Sequence, residues 1–332
     1  MNISPFRIVV NLKSPLFPSS DPASTSDLGI RAAWLYYVEE LTQAEIAKSL
    51  KLSRAKVIRL LAAARESGVV RVHLDARGTE QMALEQRLAR EFGLDEAIVA
   101  PSPASDAAVA AVVGHAAGTY LSSQVRDGMS VGIGWGSTLN ASLKAIRDRP
   151  VERLAVISLL GGMTHSRAIN PSAVARRLAD VFGAECYQLT APLFVTDPAT
   201  RAALWKEPGL HELLERARRV DLAMVSVGDV REDATLFREG LLPRSVLKSL
   251  AGAGAIGDVL CHFIDADGRV VDHPVNKRVV AVGLGDLRKV PKFVLAAGGK
   301  RKAPAIRAAL KATRARVLIT DEGAANALLV ND

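Results

Sequence analysis

The sequence predicts an α/β protein in two parts, a small basic helical head followed by a large doubly wound α/β domain. Three observations predict it. Positive charge is concentrated: residues 48–71 carry Lys48, Lys51, Arg54, Lys56, Arg59, Arg65 and Arg71 against the single acid Glu66, in a chain of net charge +8. Residues 42–68 carry the caps and apolar spacing of two short helices. From residue 97 onward, short runs that are apolar throughout alternate with helical stretches, the pattern of parallel strands covered on both faces.

The elements follow in order. Residues 1–28, with Pro5, Pro15, Pro18 and Pro22 among serines, show no sustained periodicity and are expected to be an unstructured tail. Residues 29–76 form the head. Residues 77–96 form a linking helix, with Leu84, Leu88 and Phe92 on one stripe. In the large domain, 97–332, strands are expected at 97–100, 130–133, 154–160, 222–227, 293–297 and 317–320. Helices are expected at 104–124, 137–147, 171–182, 243–251, 303–312 and 322–329. The 332 residues suffice for one large and one small domain. No apolar run reaches the ~18–20 residues that cross a bilayer, and no secretion signal is evident. Cys186 and Cys261 lie far apart without ligand spacing, as expected of reduced thiols in a cytoplasmic protein.

In the head, Thr42 and Glu45 have the spacing of a capping box. Ile46, Ala47 and Leu50 give the first helix its inward face, and the small Ala47 allows a close helix crossing. A short turn through Lys51 and Leu52 leads to Ser53, the cap of a second helix whose Val57, Leu60 and Leu61 point inward and which Gly68 stops. Arg54, Ala55, Lys56, Ile58 and Arg59 then fall on its exposed half. This is a helix-turn-helix, whose second helix enters the DNA major groove. Arg54 is placed for bidentate bonding to guanine; Gln43, Ser53, Lys56 and Arg59 are placed for phosphates. The alternative is a two-helix packing unit with a solvated basic face. Residues 69–74 alternate apolar and basic types, as a strand closing a winged variant would.

In the large domain, Gly132-Ile-Gly-Trp-Gly-Ser-Thr138 follows an expected strand and opens an expected helix. Gly134 and Gly136 let backbone approach an anion, and Trp135, Ser137 and Thr138 complete the loop. Glycines also simply make tight turns, and the spacing is not that of a dinucleotide fingerprint. Arg238 and Arg244 are further anion candidates. The histidines His115, His165, His211, His262 and His273 form no spaced catalytic or metal-binding pair, so neither cofactor nor metal is expected.

The ordered series Arg31-Ala-Ala-Trp-Leu-Tyr-Tyr, Leu52-Ser-Arg-Ala-Lys-Val-Ile-Arg-Leu-Leu, Val131-Gly-Ile-Gly-Trp-Gly-Ser-Thr, Leu160-Gly-Gly, Asn170-Pro, Ala191-Pro-Leu, Gly254-Ala-Ile-Gly-Asp, Ala297-Gly-Gly and Ile319-Thr-Asp-Glu resembles the SorC family of bacterial sugar-binding regulators. The resemblance covers essentially everything after residue 29. It implies operator DNA as partner, a homo-oligomer (commonly a tetramer), and a phosphorylated sugar or polyol that switches DNA affinity. It also implies an effector domain folded like sugar-phosphate isomerases and glucosamine-phosphate deaminases, without their catalysis. On the same resemblance Asp258 bonds sugar hydroxyls, Lys302 meets the ligand's charged group, and Gly161, Gly162 and Asn170 shape a loop beside the pocket, although Asn170-Pro is also an ordinary helix start. The alternative function is an isomerase-like or deaminase-like enzyme.

Overall fold

In the computed structural model the chain divides into two units, Met1–Gly78 and Thr79–Asp332, and residues 6–10, 25–39, 41–66, 70–74, 79–163 and 170–330 are described. The smaller unit holds helices Thr25–Tyr37, Gln43–Ser49 and Arg54–Glu66. The Thr42 capping box forms: Glu45 accepts the Thr42 N–H at 2.7 Å, and Thr42 Oγ1 accepts the Glu45 N–H at 3.3 Å. Ala32, Ala33, Ile46, Val57, Leu60, Leu61 and Ala64 are buried together, and the small alanines let the helices approach closely. The turn closes on Lys51, a non-glycine residue at φ 54°, with the Leu52 N–H on the Ala47 carbonyl at 2.9 Å. This is the left-handed helix stop that glycine makes more cheaply. Gly68 lies outside the described residues.

The tail reading of residues 1–28 is corrected in two places. Strand β1, Phe6–Val10, pairs antiparallel with β2, Val70–Leu74, with Ile8 opposite Val72, and the first helix begins at Thr25. The expected strand at 69–74 is thus present, and its partner comes from some sixty residues upstream. Local composition, dominated by proline and serine, could not reveal a pairing of that range.

The larger unit has strands β3 Glu96–Ala100, β4 Ser130–Ile133, β5 Ala155–Ser158, β6 Glu185–Tyr187, β7 Leu222–Val225, β8 Val227–Asp229, β9 Gly257–Val259, β10 His262–Ile264, β11 Lys292–Ala296 and β12 Val317–Asp321. Seven of them form a parallel sheet in the order β3-β12-β11-β7-β4-β5-β6. β7 and β12 are buried along their whole length, which explains their unbroken apolar sequence. From the central pair, β4 leads on to β5 and β6 in one direction, while β7 leads to β11 and β12 in the other. This reversal opens a crevice at the strand ends, the usual place for a ligand in such sheets.

The expected strand 222–227 splits at Ser226, where the chain leaves the main sheet and β8 joins a small antiparallel sheet, β10-β9-β8. The helix expected at 137–147 is shorter, Ser137–Ser142. Helices Pro198–Leu204, Pro208–Ala217, Thr235–Arg238 and Leu284–Leu287, together with β6 and the small sheet, had not been expected. Most are only three or four residues long, too short for periodicity to register. Helix Thr79–Phe92, expected as a linker, packs into the core of the larger unit: Leu88 is fully buried and Leu84 and Phe92 partly so. Among the described residues no helix is long and apolar enough to cross a membrane.

Candidate nucleic-acid interface and effector cleft

On helix Arg54–Glu66 the inward side chains are Val57, Leu60, Leu61 and Ala64, and Arg54, Lys56, Ile58 and Arg59 are exposed. Among the described residues none of these three cations makes an ion pair or side-chain hydrogen bond. Ile58, an apolar side chain, is 46% exposed between them. Gln43 is half-buried beside Arg54 in a groove completed by Tyr36, Tyr37 and Leu41. Ser53 Oγ accepts the Lys56 N–H at 3.3 Å, so its oxygen is engaged in capping and the hydroxyl proton remains for an outside acceptor. Uncompensated exposed cations on one helix face form the electrostatic footprint of a polyanion site.

The larger unit's crevice gathers segments far apart in sequence. The loop after β4 brings Trp135, Gly136 and Ser137; the chain after β7 brings Ser226 and Gly228; the β9–β10 hairpin brings Asp258 and Leu260; the segment after β11 brings Lys302. Gly136 has φ 120°, a backbone conformation essentially reserved for glycine. Gly228 pairs with Asp258 across the small sheet, and a Cβ on it would lie 1.9 Å from Asp258 Oδ1. A larger residue there would have to displace that carboxylate.

Asp258 is 5% exposed, and its Oδ2 accepts the Cys261 N–H at 3.0 Å. Burial pushes its pKa up to about 6, opposed by that hydrogen bond and by the Lys302 charge, and aided by Asp229. The hydrogen bond depends on an unusual turn. Leu260 and Cys261, at φ 49° and 63°, are the two central residues of the β9–β10 hairpin, positions where Asn-Gly is the ordinary choice. Each non-glycine residue held there costs roughly 1–2 kcal/mol. The free Cys261 thiol is raised far above its usual range by burial, with the Asp258 charge adding and a Trp135 hydrogen bond opposing.

Lys302 Nζ donates to the Val227 carbonyl at 3.2 Å. Its loop is held from below by Asp321, 1% exposed, whose Oδ1 accepts the Gly299 N–H at 2.6 Å and whose Oδ2 caps the last helix at Gly323 and Ala324. A Cβ on Gly298 would meet the same Oδ1 at 2.3 Å. Asp321 thus fixes the backbone at Gly299, at the start of the turn that carries Lys302.

The sugar-binding domain family matches residues 77–330. The chain is 34% identical over 304 residues to the erythritol catabolism regulatory protein EryD of Brucella abortus, covering 91% of this chain and 96% of that one. It is also 34% identical to the deoxyribonucleoside regulator of Bacillus subtilis, covering 92% and 97%. In structure it matches the full-length sorbitol operon regulator SorC of Klebsiella pneumoniae with a TM-score of 0.70 at 23% identity, over 92% of this chain and 99% of that one. The chain belongs to the SorC family of sugar-binding transcriptional regulators.

Of the family-type positions expected to meet effector, this SorC-family regulator brings Trp135, Gly136, Ser137, Asp258 and Lys302 into one cleft. Gly134 stands behind the wall, bonded to the Met224 carbonyl at 2.9 Å, and Thr138 is buried at 6% exposure. Gly161 and Gly162 do not line the cleft. A Cβ on Gly161 would meet the Ala191 carbonyl at 2.6 Å, and one on Gly162 the Ser172 Oγ at 2.7 Å, so both permit close backbone packing. Asn170 caps helix Pro171–Phe182 through the Ser172 N–H and bonds the Met163 carbonyl.

Arg238 and Arg244 turn to Glu239 and Glu232, and Arg301 to Asp106 and Asp233. Buried His262 bonds the Val282 carbonyl, and its pKa falls to about 4, chiefly through burial. His165 lies outside the described residues. Sequence reasoning missed Ser226, Gly228, Leu260 and the supporting Asp321. The Ser-Val-Gly-Asp run directly after an apolar strand was the available signal for the first two.

Proposed function

We propose that a phosphorylated sugar or polyol occupies the cleft and shifts the operator affinity of a cytoplasmic homo-oligomer, a tetramer on the family pattern. The observation that carries this reading is the convergence of Asp258 and Lys302 with the Gly136–Ser137 turn at the sheet's switch point. Lys302 and the free N–H groups of the turn offer charge-assisted bonds to a phosphate. Helix Ser137–Ser142 is short, so those local donors carry more of the anion binding than a helix dipole would. Asp258 accepts hydroxyl bonds, and a ligand lacking them leaves its buried carboxylate unpaired. Gln43, Ser53, Arg54, Lys56 and Arg59 meet the operator. The relatives' names, of a regulator of erythritol catabolism and a deoxyribonucleoside regulator, favour a small polyol or pentose skeleton.

Binding rather than turnover is the reading for this cleft, since the relatives are named regulators and, among the described residues, no histidine lines it. The test is an operator-DNA titration with four- to six-carbon phosphorylated polyols and sugars, using wild type and Lys302→Ala. The variant is expected to bind operator normally without effector and to lose the ligand response, which needs ~1–3 kcal/mol of coupling. A retained response, equal action of unphosphorylated ligands, or chemical turnover of the effector each contradicts the proposal.

A further inference from the structure

A second cleft in the larger unit shares no lining residue with the first. Helix Pro198–Leu204 and the following turn supply Arg201, Ala202 and Trp205 on one side; Val270, His273 and Lys277 face them. Most polar groups here are already engaged. Lys277 pairs with Asp272 at 2.9 Å. His273 Nδ1 accepts the Val275 N–H and its Nε2 bonds Ser249 Oγ, while burial and the nearby Arg278 charge lower its pKa. The Asn276 amide is spent on Phe263 and Val271. Asp197, the acid nearest in sequence to Arg201, caps its own helix through Thr200 and Thr196.

Arg201 is left over. Its Nε is buried without a hydrogen-bond partner, and among the described residues no carboxylate pairs with it. The same is true of Arg278, which follows Lys277 in sequence and lies close enough to His273 to depress its pKa. Desolvation already lowers the Arg201 pKa, and its charge helps to keep buried His262 neutral. A guanidinium cannot shed its proton to escape burial. Two half-buried guanidiniums without a counter-ion are costly, and an anion supplied from outside offsets that cost. Their planar donor forks match carboxylate or phosphate oxygens. Beside Arg201 the wall is apolar, with Trp205 half-buried and Val270 48% exposed.

We propose that this second cleft binds a small organic anion, a carboxylate or phosphate ester, with its charged end on Arg201 and its carbon body against Trp205 and Val270. The site is independent of the effector cleft.

Trp205 provides the readout, because the chain has three tryptophans and replacing Trp34 and Trp135 by Phe leaves it alone. Full-length protein carrying both substitutions is titrated with inorganic phosphate, succinate and glycerol phosphate in a chloride-matched buffer. A saturable change in Trp205 emission is expected, with glycerol phosphate and succinate binding more tightly than inorganic phosphate. Adding Arg201→Gln should weaken binding at least about tenfold, and Arg201→Lys, which keeps the charge but loses the fork, should give an intermediate loss. The titration before any change at Arg201 stands even if those variants fold poorly. No saturable change with any of the three anions overturns the proposal, as does undiminished affinity in a folded Arg201→Gln protein. Light scattering supplies the last arm: if Arg201→Gln changes the oligomer mass in anion-free buffer while anions have no effect, the counter-ion is a carboxylate of a second copy and the proposal fails.

Discussion

The head and the larger unit hold their candidate site charges in opposite ways. Arg54, Lys56 and Arg59 stand exposed on one helix, unpaired among the described residues. Asp258 and Lys302 are partly or wholly removed from water, each is bonded to backbone, and the Lys302 charge acts on the Asp258 carboxyl. The carboxylates of the two regions diverge in the same sense. Exposed Glu45 in the head is held below its usual range by its bonds to Thr42, whereas Asp258 is pushed upward by burial. The difference teaches that the head's charges make a diffuse field, which salt screens, while those of the cleft are set by desolvated geometry, to which pH and single-atom clashes matter more.

The largest effect expected to sharpen this contrast is on stability against pH. The Asp258 pKa in the folded protein, about 6, lies above the ordinary 3.8, so the folded state holds this proton more tightly than the unfolded chain. The resulting stabilisation is complete below the ordinary value and is lost as pH rises through the folded one. Its size is about 3 kcal/mol. Denaturant melts of wild type and Asp258→Asn at pH 4 and pH 7.5 should therefore differ in their stability gap by roughly that amount, with wild type relatively weaker at the higher pH. A gap that does not move with pH removes the buried-acid account of the cleft.

Next comes Gly228→Ala, whose new methyl collides with a carboxylate pinned by the Cys261 N–H. Overpacking of this kind costs ~1–3 kcal/mol, and effector affinity should fall with it while the DNA affinity of effector-free protein is kept. Calorimetric titration of effector checks the first and a mobility shift the second. Normal effector binding by this variant means the Gly228–Asp258 contact does not shape the site.

In the head, Arg54→Ala should cost ~1–3 kcal/mol on operator and relax the preference at one base pair. Arg59→Ala should weaken specific and random DNA alike and reduce the salt slope by about one unit. Binding isotherms at several salt concentrations separate the two, and identical salt slopes in wild type and Arg59→Ala would place Arg59 off the phosphate track. The smallest effect is at the turn: Lys51→Gly should stabilise the head by ~0.5–1 kcal/mol by relieving the left-handed backbone at φ 54°, visible as a higher melting midpoint of the head transition. A lowered midpoint means the Lys51 side chain contributes more than its backbone costs.

What the sequence determined by itself was local. The capping box at Thr42, the inward and outward faces of helix Arg54–Glu66, and the apolar parallel strands were legible because caps, 3.6-residue periodicity and unbroken apolar runs are written in neighbouring residues. Charge on an exposed helix stays where periodicity puts it, so the exposed basic face of this helix could be named without a fold. The cleft lining was legible only through family motifs, and in part: Asp258, Lys302 and Trp135–Ser137 line it, whereas Gly228 and Leu260, which also line it, and the supporting Asp321 had not been named, and Gly161 and Gly162 stand outside it.

Only the tertiary structure decided the rest. Strand β1 exists because residues 70–74 give it a partner, and β8 leaves the main sheet because Ser226 turns the chain toward β9. The pKa of Asp258 and the lack, among the described residues, of counter-ions for Arg201 and Arg278 are likewise properties of everything packed around those groups. Desolvation and pairing are sums over neighbours distant in sequence, so no local stretch of chain encodes them.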